Sequence, residues 1–541
     1  MVAMIGVGRR LTRWIKREAR ACLGIALGAV LVGGCATGQS GSSVGRLSGD
    51  SGQAVVGSGS IEQCMKLFAA LDALGHETGR SDVETVPIVG FPHLRTNRLY
   101  ASLSHRADAP ARVDAWYEGL SRLDRERRTI ERANRPPSAV HRARQIVTAA
   151  GFADMSQAGA RCRAQLRAFD LGSPERIEAL RAAAGRVADS YSLTRRVLGL
   201  YPMTALGVWV GFERWKSIHL PSFERPWSEL GWQGRAVHYQ PARSQSTSTT
   251  VIRDMFATAE RDALGMIQFD AAQIRRLAEA FAPQWMVETA SGSDRLGTPV
   301  LRESRGQLLP DVDPRRPAVF VRLHHAWFEG RMVPQLVYTA WFAERPPSGV
   351  IDLLAGRLDG LVWRITLDAS GEPIIADTIH PCGCYHLFFP APGIKKRMRP
   401  EDRRWDIREP YEAVQILPDD GRNVIIRVAS HSHYVTKLAS AALEAAHVPS
   451  DTITEPYDLV VDAIPDQALR SIALDNGSRR SLYDPNGLVS GTERAERFFL
   501  WPMGIKSAGA MRQWGHHATV FVGRRHFDDP FIIDHGFTRS P

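Results

Sequence analysis

The spacing of apolar residues in this 541-residue chain changes character once, near Pro310, and that change constrains the fold more than any single motif. Between Ile61 and about Ser190, apolar residues recur at three and four positions, as at Cys64, Leu67, Phe68 and Leu71. This is the spacing of one face of an α-helix. After Pro310 the apolar residues gather into short runs rich in β-branched and aromatic types: Ala318–His324, Gln335–Phe342 and Leu361–Leu367. Such runs read as strands. The turn Asp368–Gly371 followed by Pro373–Ile379 predicts a hairpin with Leu361–Leu367. A second hairpin is expected between Val414–Leu417 and Asn423–Val428 across Asp419–Arg422, with further strands at Tyr457–Ile464, Arg497–Trp501 and Ala518–Gly523. The chain is too long for one ordinary core. The expected fold class is α+β, with a mainly helical domain over 61–205, a mixed connecting region over 206–310 and a β-rich, mainly antiparallel domain over 311–541. No repeat of 20–50 residues is present, which removes propellers and solenoids.

Within the helical half, Ser173-Pro174-Glu175 has the chemistry of a helix start: a capping oxygen, a proline suited to the first turn and an acid that complements the helix dipole. Ile177, Leu180, Ala184 and Val187 then form its buried stripe, and Gln268–Phe281 reads as another helix. Asp124–Arg144 is densely charged and predicts an exposed helix broken at Pro136-Pro137. Val197–Phe212 is the most apolar stretch of the folded part, yet too short and too interrupted by Pro202 and glycines to span a membrane. It reads as a buried connecting element, or as an interfacial segment for which Trp209 and Trp215 would suit.

The first 34 residues have a different organisation. Arg9, Arg10, Arg13, Lys16, Arg17 and Arg20 precede the fourteen-residue apolar run Ala21–Gly34, and Cys35 follows. A charged region, a short apolar region and small residues before a cut mark a secretory signal. The run is shorter than the roughly 20 residues that a membrane span needs. Val32-Gly33-Gly34-Cys35 resembles the lipobox of bacterial lipoproteins. The resemblance covers residues 1–35 only. It implies cleavage before Cys35, acylation of its thiol, and a membrane as partner through that lipid. Ala36 after the cysteine implies the outer membrane, facing the periplasm or the cell surface, where envelope proteins are the expected partners. Residues 35–60 are Gly/Ser-rich and read as a flexible tether. Removing the signal leaves 62 basic and 57 acidic residues, so the formal charge falls from +10 to +5. No dense basic surface remains, and nucleic acid is excluded as a partner.

Six cysteines are present; Cys22 leaves with the signal and Cys35 takes the lipid. Cys64 and Cys162 lie in helical stretches, and an oxidising compartment permits a disulfide between them. The remaining two belong to the one local cluster that carries chemistry, His380-Pro-Cys382-Gly-Cys384-Tyr-His386. Two thiols and two imidazoles within seven residues suit Cu or Zn. His431-Ser-His433 follows the strand that ends near Val428. If the strand continues, both imidazoles share a face and complete a candidate metal set of His380, Cys382, Cys384, His386, His431 and His433. The single residue between the cysteines matches neither a common zinc spacing nor haem attachment. A disulfide between Cys382 and Cys384, pairing with Cys64 and Cys162, and burial as neutral thiols stay open.

Other catalytic signatures are absent or misplaced. Gly41-Ser-Ser43-Val-Gly45 matches a nucleophile elbow only inside the Gly/Ser-rich tether, and neither a phosphate-binding Gly-rich loop nor His-Glu-x-x-His occurs. No catalytic residue is assigned. The sequence therefore supports an envelope lipoprotein that binds a transition metal. Two alternatives remain: a non-catalytic envelope scaffold with structural disulfides, and a carboxylate-dependent hydrolase of an envelope polymer.

Overall fold

The computed structural model describes residues 58–243, 247–350, 352–397, 411–418, 421–440, 448–519 and 522–540. Residues 1–57, with the expected signal segment, Cys35 and most of the expected tether, lie outside the described residues.

The N-terminal part is helical around one small hairpin. Its elements are α1 (Ser58–Glu77), β1 (Val86–Ile88), β2 (Phe91–Thr96), α2 (Arg98–Leu103), α3 (Pro110–Ala133), α4 (Pro137–Ala149), α5 (Met155–Asp170) and α6 (Pro174–Ala184). The stripe Cys64, Leu67, Phe68 and Leu71 of α1 packs with Ala143 and Val147 of α4 and Leu166 of α5. The Cys64–Cys162 disulfide joins α1 to α5 across 98 residues of chain. Closing a loop of that length in the unfolded chain stabilises the fold by roughly 4–5 kcal/mol in the chain-entropy account. Helix α6 starts as its sequence predicts, the Ser173 side chain accepting from the Arg176 amide with Pro174 in the first turn.

Helix α3 departs from expectation. It breaks before Pro136-Pro137 as predicted, but its charges are inside the protein: Asp124, Arg127, Arg128 and Glu131 are all buried. Arg128 and Arg163 meet Asp124 at 2.8 and 2.5 Å, Arg127 meets Glu131 at 2.5 Å, and Asp72 of α1 pairs with both Arg127 and Arg128. A charged helix face needs solvent or opposite charges; here α1, α5 and β2 supply them, through Asp72, Arg163 and, 3.9 Å from Asp124, Arg95.

The rest of the chain builds one large sheet. Helices α7 (Leu193–Leu198) and α8 (Tyr201–His219) lead into β3 (Arg235–Pro241), α9 (Thr249–Thr258), α10 (Ala271–Ala280) and β4 (Gln284–Thr289). Then come β5 (Leu296–Ser304), β6 (Gln307–Asp313), β7 (Ala318–Phe328), β8 (Arg331–Arg345), β9 (Gly356–Leu367), β10 (Pro373–Ile379) and β11 (Leu387–Pro390). β12 (Ile394–Lys396), β13 (Glu412–Ala413), β14 (Val424–Val428), β15 (Val435–Ser440) and β16 (Ile453–Val461) follow. The order along the sheet is β13-β11-β10-β9-β8-β7-β16-β3-β4-β14-β15, with the β5–β6 hairpin attached to β8. Most pairings are antiparallel, while β16 runs parallel to both β3 and β7, β14 parallel to β4, and β11 parallel to β13. The molecule is α+β, with its helices mostly in the N-terminal half and a mixed sheet in the C-terminal half.

The hairpin β9–β10 forms as predicted. The second expected hairpin does not. Val414–Leu417 is not a strand, and β14 lies between β4 and β15, because all five of its side chains are buried and call for a partner on each edge. Arg497–Leu500 is a helical turn, and Ala518 contributes only an isolated bridge to His526. Strands β3 and β4 of the 206–310 region sit well inside the sheet. Buried ion pairs lock the helical part to it: Arg470 on Asp82 at 2.8 Å, and Arg322 on Glu84 and Asp466 at 2.6 and 2.7 Å.

Candidate functional site

The turn from β10 to β11 carries the Cys/His cluster and sends its side chains to two opposite sides. The His380 amide donates to the Cys384 carbonyl at 3.0 Å and the Gly383 amide to the His380 carbonyl at 2.8 Å. Gly383 has φ 93°, and a Cβ there would lie 2.1 Å from the Ala518 carbonyl oxygen, so only glycine fits. Cys382 and Cys384 point into an apolar cluster with Trp341, Leu358 and Met511. Both are free thiols, so neither the Cys382–Cys384 disulfide nor pairing with Cys64 and Cys162 occurs. The hydrogen bond from one thiol to the other, and then burial, push the Cys384 pKa well above its ordinary value. Both thiols are buried.

His380 turns the other way, toward Asp359 of β9, and there the site assembles. Asp359 Oδ1 faces His380 Nδ1 at 3.3 Å, Oδ2 faces His433 Nδ1 at 2.9 Å, and Arg494 lies at 3.4 Å. His433 stacks on Phe342 with ring centroids 4.1 Å apart, and its Nε2 is 3.4 Å from Asp294. The strand does not continue through 431–433 as expected. β14 stops at Val428 and the chain closes a tight loop, with the Ala429 amide on the Tyr434 carbonyl and the His433 amide on the Ala429 carbonyl. The two imidazoles therefore part: His433 goes in, while His431 stays at the rim, its amide on Asp294 and its ring on Ser430.

Electrostatics separate the two inner histidines. Burial opposes the charge of both. At His433 the bonds and charges of Asp294 and Asp359 outweigh burial and raise the pKa above its ordinary value. At His380 burial prevails over the single contribution of Asp359, and the pKa is lowered. Burial also raises Glu496, beside Arg494, to about 7. The surroundings thus favour the charged form at His433 and the neutral form at His380.

Backbone strain concentrates on the same spot. Leu358, Tyr385, His431 and His433 all adopt left-handed φ, between 51° and 60°, although none is glycine. Each costs of order 1–3 kcal/mol, and such residues cluster where a site is held in a set geometry. His380 Nε2 is buried without a hydrogen-bond partner. His380 is also among the residues around a small cavity of about 10 Å³, with Trp215, Tyr385 and Tyr434, whose exposed wall is apolar. Arg345 donates to the Tyr434 hydroxyl at 3.2 Å.

Of the six candidate ligands, then, His380 and His433 come together through Asp359, Cys382 and Cys384 come together on the far side, and His431 remains at the rim. His386 belongs to a separate buried cluster, 2.7 Å from Asp377, which Arg364 grips with two bonds; burial lowers its pKa to about 4. Among the described residues no group of three or more His, Cys, Asp or Glu side chains could hold a metal ion. The sequence reading missed Asp359, Asp294, Arg345, Tyr434 and Glu496. Asp359 had a signal: a carboxylate at the start of a strand whose remaining inner positions are almost all apolar. Compared with known proteins, the chain matches no family model, no curated protein and no solved structure.

Proposed function

We propose that this chain is a cell-envelope lipoprotein, anchored to the outer membrane by lipid on Cys35, whose folded body carries a general acid–base site centred on His380. The anchor rests on Val32–Cys35 and the basic and apolar residues before it. The observation that carries the acid–base reading is the orphaned Nε2 of His380, buried without a partner while Nδ1 faces Asp359. A proton on Nδ1, donated to Asp359, leaves the Nε2 lone pair as the base. The lowered pKa keeps that lone pair free near neutral pH. Arg345, bonded to the Tyr434 oxygen, leaves the phenol hydrogen as a donor for negative charge developing on a substrate oxygen. The reaction class is hydrolysis or proton abstraction at a polar group, with an imidazole in place of the carboxylate base that the envelope-polymer hydrolase reading expects. Trp215 of α8 lies among the lining residues, its ring centroid 5.0 Å from that of Tyr385.

The donor set does not fit Cu or Zn. The thiols and the inner imidazoles face opposite sides of the turn, and Asp359 already occupies one nitrogen of each imidazole. No step is routed through a metal.

Two measurements test the reading. Metabolic labelling with a fatty acid should mark the protein and be abolished by Cys35→Ala. Release of fragments from ester- and glycoside-linked envelope polymers, followed by mass spectrometry, should fall about a hundredfold or more in His380→Gln and persist in His431→Ala. A folded His380→Gln protein with undiminished turnover would overturn the acid–base assignment.

A further inference from the structure

Helices α7 and α8 meet the segment after the helical turn Arg497–Leu500 at close quarters: a Cβ on Gly199 would lie 2.4 Å from Pro502. Ala205, Met503 and Val522 form the buried floor of this junction, with Tyr201, Val208, Trp209 and Leu500 packed on it. Above the floor, Leu198, Leu200, Met203, Val210, Phe498 and Phe499 remain more than half exposed, Met203 at 70% and both phenylalanines at 65%. Leu200 holds a left-handed φ of 48° between α7 and α8, a conformation that costs a leucine about 1–2 kcal/mol, and it is nevertheless 61% exposed. Soluble surfaces rarely leave so many large apolar groups side by side without a partner.

Charge identifies the partner. No charged residue occurs from Val197 to Phe212. Around this uncharged centre stand Arg195, Arg214, Arg497 and Lys506, none of them in an ion pair among the described residues, while the nearby Glu213 is taken by Lys216 at 3.0 Å. An apolar face ringed by unpaired cations is the pattern of a segment lying in the headgroup region of an anionic bilayer. A second copy of the chain would set cations against cations. Helix α8 would lie flat, since no described helix is long and apolar enough to cross a membrane.

We infer that the α7–α8 face, with Phe498 and Phe499, docks on an anionic phospholipid bilayer. The inference does not depend on lipid at Cys35. That anchor would keep the face within reach, because the 22 residues between Cys35 and Ser58 span at most roughly 75 Å.

The test uses the full chain carrying Cys35→Ala, mixed with vesicles of equal parts phosphatidylethanolamine and phosphatidylglycerol. Hydrogen exchange should slow in peptides covering 198–212 and 497–503 when vesicles are added. Met203→Glu/Val210→Glu should abolish that local protection and weaken flotation with the vesicles about tenfold or more. Phe498→Ser/Phe499→Ser, at exposed positions on the other side of the face, should act alike. Protection confined to residues before Ser58, or protection unchanged in both variants, overturns the proposal. So does a vesicle-free dimer that Met203→Glu/Val210→Glu dissociates. Because the lipid site is absent throughout, none of these outcomes depends on whether Cys35 is acylated.

Discussion

The two halves of the molecule each bury a cluster of charges, one around Asp124 and one around Asp359, and they hold them on opposite terms. The Asp124 cluster is built on regular helices and one strand. Burial alone would raise the Asp124 pKa, but Arg128, Arg163 and Arg127 outweigh it and hold the carboxyl well below its ordinary value. The Cys64–Cys162 disulfide fastens the same helices. The Asp359 cluster is built on left-handed, non-glycine backbone, and both of its inner imidazoles leave Nε2 without a hydrogen-bond partner, that of His433 lying 3.4 Å from Asp294 and that of His380 facing no carboxylate. Burying charge is thus compatible with a purely structural role where several guanidiniums surround each carboxylate on unstrained backbone. Strain together with an orphaned basic atom marks the place where geometry is kept for something other than stability.

The largest expected effect follows from the structural side. Asp124→Ala leaves several buried guanidiniums without their shared partner and should lower stability by about 3–5 kcal/mol in urea unfolding. A loss below about 1 kcal/mol would mean that the α3 charges do not support the fold. The pH dependence has a definite sign. A carboxylate whose folded pKa is depressed contributes stability above its unfolded value of 3.8, lost as pH falls through that value toward the folded one. The parent protein should therefore soften in acid more than Asp124→Ala does.

Glu496 tests the other side. Burial raises its pKa from 4.5 to about 7 against the pull of Arg494 and Arg345. A raised carboxyl stabilises the fold only while protonated, so its contribution is present below 4.5 and lost as pH climbs through 7. Glu496→Gln keeps the shape and removes the titration. It should gain about 2 kcal/mol over the parent at pH 8 and almost nothing at pH 4, by thermal unfolding at both. Equal stability of parent and variant at both pH values would show that the Asp359 region bears no electrostatic strain.

What the sequence discloses of this contrast is uneven, for a physical reason. Periodicity reports which face of an element is apolar, so the α1 stripe and the β9–β10 strands are legible in it, while capping chemistry announces the start of α6 and the expected oxidising compartment permits the Cys64–Cys162 bridge. It does not say what a charged face meets. The run from Asp124 to Arg135 has the same composition whether water or Asp72 and Arg163 lie opposite. The candidate site was legible as a place but not as a chemistry: His380 and His433 belong to it, whereas the ligand pattern fails because alternation along an extended chain breaks where the backbone turns left-handed. Tyr385, His431 and His433 adopt that conformation, and nothing in their identities announces it. Asp359 and Asp294 are remote in sequence from both histidines, so only the sheet order brings the four together.

The smallest effect is the most discriminating. His433 lies between two carboxylates and His380 against one, with Arg345 and His433 also opposing its charge, and the two pKa values are displaced in opposite directions. Because the folded pKa of His433 is raised above 6.5, its contribution to stability is present below 6.5 and lost as pH rises through the folded value. His380 runs the opposite way: its lowered pKa contributes above 6.5 and is lost as pH falls. Asp294→Asn removes one of the two carboxylates from His433; its single amide oxygen can accept either from the His431 amide or from the Ala290 and Ser291 amides, so the variant is compared with the parent only after its fold is checked by circular dichroism. Imidazole nitrogen spectra across pH should then show the His433 pKa falling by about one unit, about 1.4 kcal/mol, with His380 almost unmoved. Should both histidines shift together, the pair titrates as one unit and the base cannot be assigned to His380 alone. Should His433 titrate below 6.5 in the parent, burial outweighs both carboxylates, and the distinction between a charged bridge and a neutral base disappears.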